Sequence, residues 1–228
     1  MSNKNSEIID LMARRKSVRA FLQKNVEQDL VTKILTAAFR APSGGNMQPW
    51  KVHILTGSRK DGLAQALMQA YDQRPSVRKD DYLYYPDTPL SPYTDRISEI
   101  GELLYGSLEI GKRDVSKRRE QQKRNYQFHG APVGIVLTMD KRLETGSYVD
   151  MGIFISHLIL AAEANGLATC VEAALISYAD VIRSHLSLPE TDLVICGIAL
   201  GFEDRDHPLN QFARPRKQLE DAVIYYGD

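Results

Sequence analysis

Six residues near the start of the chain, Arg14-Arg15-Lys16-Ser17-Val18-Arg19, set four cations and a hydroxyl side by side. Guanidinium groups hold phosphate oxygens in a bidentate fork, and a hydroxyl adds one more donor. Each charge-assisted hydrogen bond is worth roughly 1.5–3 kcal/mol, so a few of them would hold a monophosphate firmly. The same residues would equally serve as a solvated helix C-terminus, where cations are favoured. A second basic cluster, Arg214-Pro215-Arg216-Lys217, lies near the other end of the chain. It reads either as a solubilising tail or as the second half of one phosphate site, depending on whether the chain ends meet. A third segment runs Ala41-Pro42-Ser43-Gly44-Gly45-Asn46-Met47-Gln48-Pro49-Trp50. Its Gly and Pro residues give a rigid, unusual backbone path, and Ser43, Asn46 and Gln48 are neutral hydrogen-bonders. Such a segment is a turn that satisfies its own backbone, or a rim that bonds the polar edge of a planar heterocycle. Neither a GxGxxG nor a P-loop spacing occurs.

Positioning these groups falls to an alternation of helices and strands. Apolar spacing predicts helices over Ser6–Met12 and Val26–Phe39, the latter stopping before Ala41-Pro42. Val52–Leu55 reads as a strand, closed by Thr56-Gly57, and Asp61–Tyr71 as a helix. Arg74–Tyr93, with Pro75, Pro86, Pro89 and Pro92 among tyrosines and charges, reads as a long excursion loop of the kind that lines or covers binding sites. Helices follow over Ile97–Arg113 and Val115–Tyr126, then a short apolar strand over Val133–Met139. Tyr148–Ala164 is an apolar helix stopped by Asn165-Gly166. Ala168–Val171 reads as a strand, Ala179–Leu186 as a helix and Leu193–Gly201 as a buried strand. The order implies α/β layering around one sheet, with residues 1–228 as one domain, 74–93 as an excursion loop and 208–228 as a polar arm that pairs with a second subunit.

Composition narrows the function. Lys+Arg and Asp+Glu are both 29, which argues against a nucleic-acid protein. No apolar run approaches the roughly 20 residues of a membrane helix. Met1–Arg14 lacks the apolar stretch of a secretory signal, so the expected compartment is the cytoplasm. Cys170 and Cys196 have no CxxC spacing and sit in apolar segments, which predicts buried, reduced thiols. The histidines His53, His129, His157, His185 and His207 show no HExxH or other metal spacing, so no metal is expected. His157 reads as a satisfied core residue. No GxSxG elbow supports a serine hydrolase.

Taken together, Arg-Arg-Lys-Ser-Val-Arg at 14–19 and the 41–50 segment resemble the N-terminal signatures of FMN-dependent nitroreductases, and Gly166–Cys170, Gly197–Gly201 and Asn210–Leu219 resemble the later ones. The Tyr-Pro loop is most similar to the nitrobenzoate-reductase-like branch. The resemblance implies an α+β (α/β layered) nitroreductase-like fold, a central mixed sheet flanked by helices, and a C-terminal arm exchanged in a homodimer. It implies bound FMN with NADH or NADPH as electron donor. Arg15, Lys16, Ser17 and Arg19, with Arg214 and Arg216, match the phosphate and ribityl positions. Pro42, Ser43, Asn46 and Gln48 match positions lining a flavin held mainly by the other subunit. Glu172, Ala173 and Ala174, with Val171, match the stretch whose backbone amides face N5 and O4 of the ring.

No catalytic side chain is required, because flavin N5 carries the chemistry. The implied activity is a ping-pong reduction of nitroaromatics, quinones or similar small acceptors. A flavin-using dehalogenase, a flavin-fragmenting enzyme and a non-catalytic flavin-binding protein remain as alternatives. Tyr93, Arg96, Tyr105 and His129 are the expected substrate contacts, with Arg96 suited to a substrate carboxylate. Two departures stand out. Glu172 occupies a position where relatives carry Gln, and its carboxylate is expected to point to solvent or pair with a cation. His129 stands where relatives carry an aromatic residue.

Overall fold

The computed structural model describes residues 4–73 and 81–227. Strands β1 (Lys51–Thr56), β2 (Val133–Asp140), β3 (Ala168–Glu172) and β4 (Asp192–Gly201) form a sheet in the order β1-β2-β4-β3. β2 and β4 occupy the centre because both are nearly continuous apolar runs, which are stable only when both faces are covered. All pairings between these strands are antiparallel. The expected mixed character is confined to a single parallel bridge between Ser17 and Thr169, which lays the basic segment along the edge of β3.

Helices cover both faces. Val133, Ile135, Leu137 and Met139 of β2 join a core with α2 (Gln28–Ala38) and α6 (Gly146–Ala164), where Trp50 stacks on Phe154 with ring centroids 4.8 Å apart. Val136 of β2 faces the opposite core, with Leu63 and Leu67 of α3 (Gly57–Gln73) and Ile182 of α7 (Ala179–Leu186). Each fully buried aliphatic side chain contributes about 1.5–3 kcal/mol. α6 is long and apolar enough by composition to cross a membrane. Its Met151, Phe154, Leu158 and Ala162 nonetheless pack into the core. The register of β2 on β4 slips between Leu137, opposite Cys196, and Thr138, opposite Val194. Ile195 is therefore a bulge residue, and its carbonyl accepts a hydrogen bond from the Tyr82 hydroxyl at 2.7 Å.

Several boundaries differ from those predicted. Gly57, read as closing a strand, has φ +50 and turns the chain directly into α3. The helix expected from Ile97 is α4 (Tyr93–Gly106), beginning and ending earlier, and Glu109 beyond it is left-handed (φ 57). α5 (Val115–Lys123) stops short of Tyr126 because residues 124–130 form a tight turn with Phe128 and His129 both left-handed. Part of the excursion loop, residues 74–80, lies outside the described residues, and 81–92 hold no helix or strand. α1 (Lys4–Arg14) packs on α6. After the short α8 (Pro208–Gln211) the arm has no regular element through residue 227, and Leu219, Ile224, Tyr225 and Tyr226 are exposed.

Candidate functional site

The two ends of the chain meet. Buried Asn210 is the knot: its Oδ1 accepts from the Arg19 backbone N–H at 2.8 Å, and its Nδ2 donates to the Ala20 and Asp204 carbonyls at 2.9 and 2.7 Å. Its own carbonyl accepts from Lys16 Nζ at 2.7 Å. Arg214 adds a second tie, donating from Nη2 to the Ser17 and Leu209 carbonyls at 3.2 and 3.1 Å and from Nη1 to the Phe212 carbonyl at 2.7 Å. The basic segment is held extended by the Val18 N–H bonded to the Thr169 carbonyl at 2.9 Å.

That scaffold decides which cations remain for a ligand. Lys16 is neutralised by Glu203, 2.6 Å away. Arg216 is turned onto its own segment, donating to the Arg214 and Pro215 carbonyls. By contrast, the guanidinium groups of Arg15 and Arg19 and the Ser17 hydroxyl have no hydrogen bond or ion pair among the described residues. Arg214 Nε is buried with no partner. Three partly exposed donor groups without a protein partner, at alternate positions of the extended segment, and the buried, orphaned N–H of Arg214, which is tied to the Ser17 carbonyl, make a site for an anion, since a buried N–H is otherwise satisfied.

Arg19 also lines a cavity of about 580 Å³. One wall is the end of β3 and the turn after it, Cys170 to Ala174; another is the excursion loop, Leu83 to Asp87, with Tyr71 and Tyr126 between. The turn at Ala173–Ser177 opens there, and the first N–H groups of a helical turn have no partner within it. The loop is anchored at the first of its described residues. Asp81 pairs with Arg183, accepts from the Val194 N–H at 2.8 Å, and precedes Tyr82 on the bulge. The arrangement suits a planar ring with an anionic tail.

The other predicted residues lie elsewhere. Pro42, Asn46 and Gln48 are exposed, and Ser43 partly so, in a loop that shares no hydrogen bond with the basic corner among the described residues. Gly45, Asn46 and Gln48 are left-handed there (φ 55, 59 and 48). Ser43 Oγ accepts from the Gln48 N–H, and Asp150 from the Gly44 N–H, which pins the shape. Arg96 faces the arm at residues 215–218, Tyr105 stacks under Arg118, and Tyr93 is exposed; none of them lines the cavity within the described chain.

Two expectations are corrected. Glu172 neither reaches solvent nor joins a cation. Its side chain is 0% exposed and turned inward to His129, whose Nε2 lies 3.4 Å from Oε1. The alternation of β3 dictates this, because Val171 takes the outward position. His129 is likewise no substrate contact: the left-handed turn buries its ring, 1% exposed, behind the wall. Sequence reasoning gave Asn210 no role beyond opening a signature segment and passed over Glu203; both roles emerge only when the two ends are placed together. It also passed over Tyr84 and Tyr85 inside the loop. Both cysteines are free and buried as expected; His157, expected in the core, is only half-buried, and its ring bonds the Ile153 carbonyl.

Comparison with known proteins agrees with this frame. The family model described as "Nitroreductase family" matches residues 12–202. The chain is 35% identical over 218 residues to the nitrobenzene nitroreductase of Ectopseudomonas oleovorans, covering 96% of each protein. It is 35% identical to the 4-nitrobenzoate reductase of Nocardioides sp. (strain LMS-CY), covering 97% of this chain and 91% of that one. The crystal structure of the FMN- and NADPH-dependent nitroreductase NfnB from Sphigopyxis sp. strain HMH superposes with a TM-score of 0.94 at 32% identity, covering 97% and 99%. With the anion corner, the cavity and these matches together, the chain belongs to the nitroreductase family.

Proposed function

We propose that the chain binds FMN in the cavity beside Arg19 and takes hydride from NADH or NADPH to reduce nitroaromatics, quinones or similar small acceptors. The observation that carries this reading is the run of donors without a protein partner, Arg15, Ser17 and Arg19 with Arg214 Nε, which reaches through Arg19 a ring-sized cavity walled by residues 170–174. When bound, FMN supplies the hydride chemistry and the protein supplies orientation and electrostatics. Arg15 and Arg19 hold the phosphate, Ser17 adds a neutral donor, and the backbone of Glu172, Ala173 and Ala174 faces the ring. Lys16 and Arg216 act through the scaffold, since both are engaged by the chain itself. The loop at Leu83–Asp87 covers the approach, so Tyr84 and Tyr85 are the aromatic surfaces against which a flat acceptor stacks.

The same reading makes the working form a homodimer. Pro42, Asn46 and Gln48 are exposed and Ser43 partly so, where a second copy's ring would meet them, and the arm, with Leu219, Ile224, Tyr225 and Tyr226 exposed, is the segment exchanged. Two free buried thiols fit a reducing compartment such as the cytoplasm. The test is reconstitution with FMN followed by anaerobic NADH or NADPH. Bleaching of the flavin band and its return on adding nitrobenzoate supports the reading. A chain that binds no FMN refutes it, and bound FMN that neither nucleotide bleaches refutes the reductase step.

A further inference from the structure

Behind the cavity wall, four buried polar atoms have no hydrogen-bond partner: both ring nitrogens of His129 and both carboxyl oxygens of Glu172. They face one another across 3.4 Å, fully withdrawn from solvent. Leaving such groups unpaired in a protein interior is costly, and natural structures keep them where they serve a function. The backbone is strained to put His129 there, because Phe128 and His129 are consecutive non-glycine residues with φ 52 and 50. Gly197 makes the space: a Cβ at that position would lie 2.4 Å from Leu175 Cδ2 and 3.4 Å from Glu172 Oε2.

The contact has the geometry of an ion pair, but its surroundings disfavour one. Burial pushes the Glu172 carboxyl well above its ordinary range. Burial, with the cations of Arg19 and Arg124, pushes the His129 imidazole down to about 3. Both directions describe a protonated carboxyl facing a neutral imidazole. Both nearby cations favour the neutral imidazole, while Arg19 pulls the carboxyl the other way and burial outweighs it. Arg19 faces it from the N-terminal segment and Arg124 from the 124–130 turn. Cys170 on β3 and Cys196 on β4 are thiols pushed up to about 12, and Arg214 lies near Cys170. The Ala173–Ser177 turn brings no ionisable side chain.

We propose that Glu172 stays protonated beside a neutral His129, and that this uncharged pair keeps the wall beside the FMN site uncharged, so that its deprotonation in alkali lowers the cofactor's reduction potential and weakens its binding. The inference rests on FMN occupying the cavity. Deprotonation releases one proton to solvent and leaves one carboxylate behind residues 171–174. That charge opposes electrons arriving in the cavity, and it competes with the ligand phosphate for the Arg19 guanidinium. Glu172 and His129 are positioning residues in this scheme; neither touches the reacting atoms.

The test compares wild type with Glu172→Gln, which keeps the shape and removes the titration. Midpoint potentials and FMN dissociation constants are measured from pH 6 to 10. The two proteins coincide at neutral pH and diverge in alkali, wild type falling behind by about tenfold in the reduction equilibrium, about 30 mV for two electrons. His129→Phe moves that divergence to higher pH, because a carboxylate formed beside a phenyl ring loses its one polar neighbour and is more costly to bury. A Glu172→Gln potential already raised at neutral pH overturns the proposal, since the carboxylate would then be ionised throughout. So do potentials that run parallel to pH 10. An infrared titration of the FMN-free wild-type chain decides independently. The proposal expects a protonated-carboxyl C=O band at neutral pH that disappears in alkali, and a spectrum without it overturns the pair. A chain that binds no FMN therefore ends the cofactor reading, whereas the infrared result still stands or falls alone.

Discussion

Replacing Asn210 with alanine removes the three side-chain hydrogen bonds that join the C-terminal segment to residues 19, 20 and 204. Each such bond contributes about 0.5–1.5 kcal/mol net, and its loss strands a buried partner, so the expected cost is about 2–4 kcal/mol. For a chain of this size that corresponds to a fall in Tm of about 4–16 °C. Asn210→Asp should cost at least as much, because both carbonyls would then face a carboxylate oxygen where an N–H had been. The assay is urea unfolding of FMN-free protein at matched concentration, since any dimer contributes to apparent stability. A parallel fluorescence titration with FMN should show affinity weakened about tenfold or more, because Arg19 is no longer held by its backbone. A change in stability below about 0.5 kcal/mol, the range of ordinary surface substitutions, would refute the role given to Asn210.

Other outcomes follow from the same geometry. Arg15→Ala and Arg19→Ala should each weaken FMN binding by about 10- to 150-fold, the equivalent of one charge-assisted bond, read by fluorescence titration. Gly201→Ala would set a Cβ 2.6 Å from the Pro132 ring and Gly197→Ala one 2.4 Å from the more mobile Leu175. Both should cost about 1–3 kcal/mol in urea unfolding, Gly201→Ala the more, because a proline ring cannot change rotamer. With Cys170 and Cys196 pushed up to about 12, neither thiol should react with a disulfide reagent at pH 8 until the protein unfolds. The unfolded thiols lose their protons at lower pH than the folded ones, so stability should fall from about pH 9 toward about 12. His129, lowered from 6.5 to about 3, acts on the acid side: the unfolded state takes the proton first, and stability should fall as pH drops through that window.

The strands and most helices were legible because β2 and β4 are apolar runs bounded by turn signals, and α2 and α6 keep helical spacing. The basic cluster at 14–19 was legible as an anion site, but not the division of labour within it. Lys16 is occupied by Glu203, far along the chain, and no local pattern announces that. The burial of Glu172 was hidden for a similar reason. A charged residue ending a short strand reads as an outward position, whereas the register puts Val171 outward and Gly197 opposite Glu172. His129 was misplaced because two successive left-handed residues without glycine leave no compositional mark. α4 was read late because Pro92 obscured a start at Tyr93.

The union of the chain ends at Asn210 also orders events during synthesis. Arg19 and Asn210 are separated by 191 positions, and Lys16 and the Asn210 carbonyl by 194. At about 5–20 residues per second, the early cations wait roughly 10–40 s on the ribosome before their partner is made. Throughout that interval the nascent chain has no corner in which to seat a phosphate, so the ligand site cannot template the fold that contains it. Synthesis of the segment from Glu203 to Arg214 thus acts as a timer, and a chain that stops short of that segment has no corner in which to seat a phosphate.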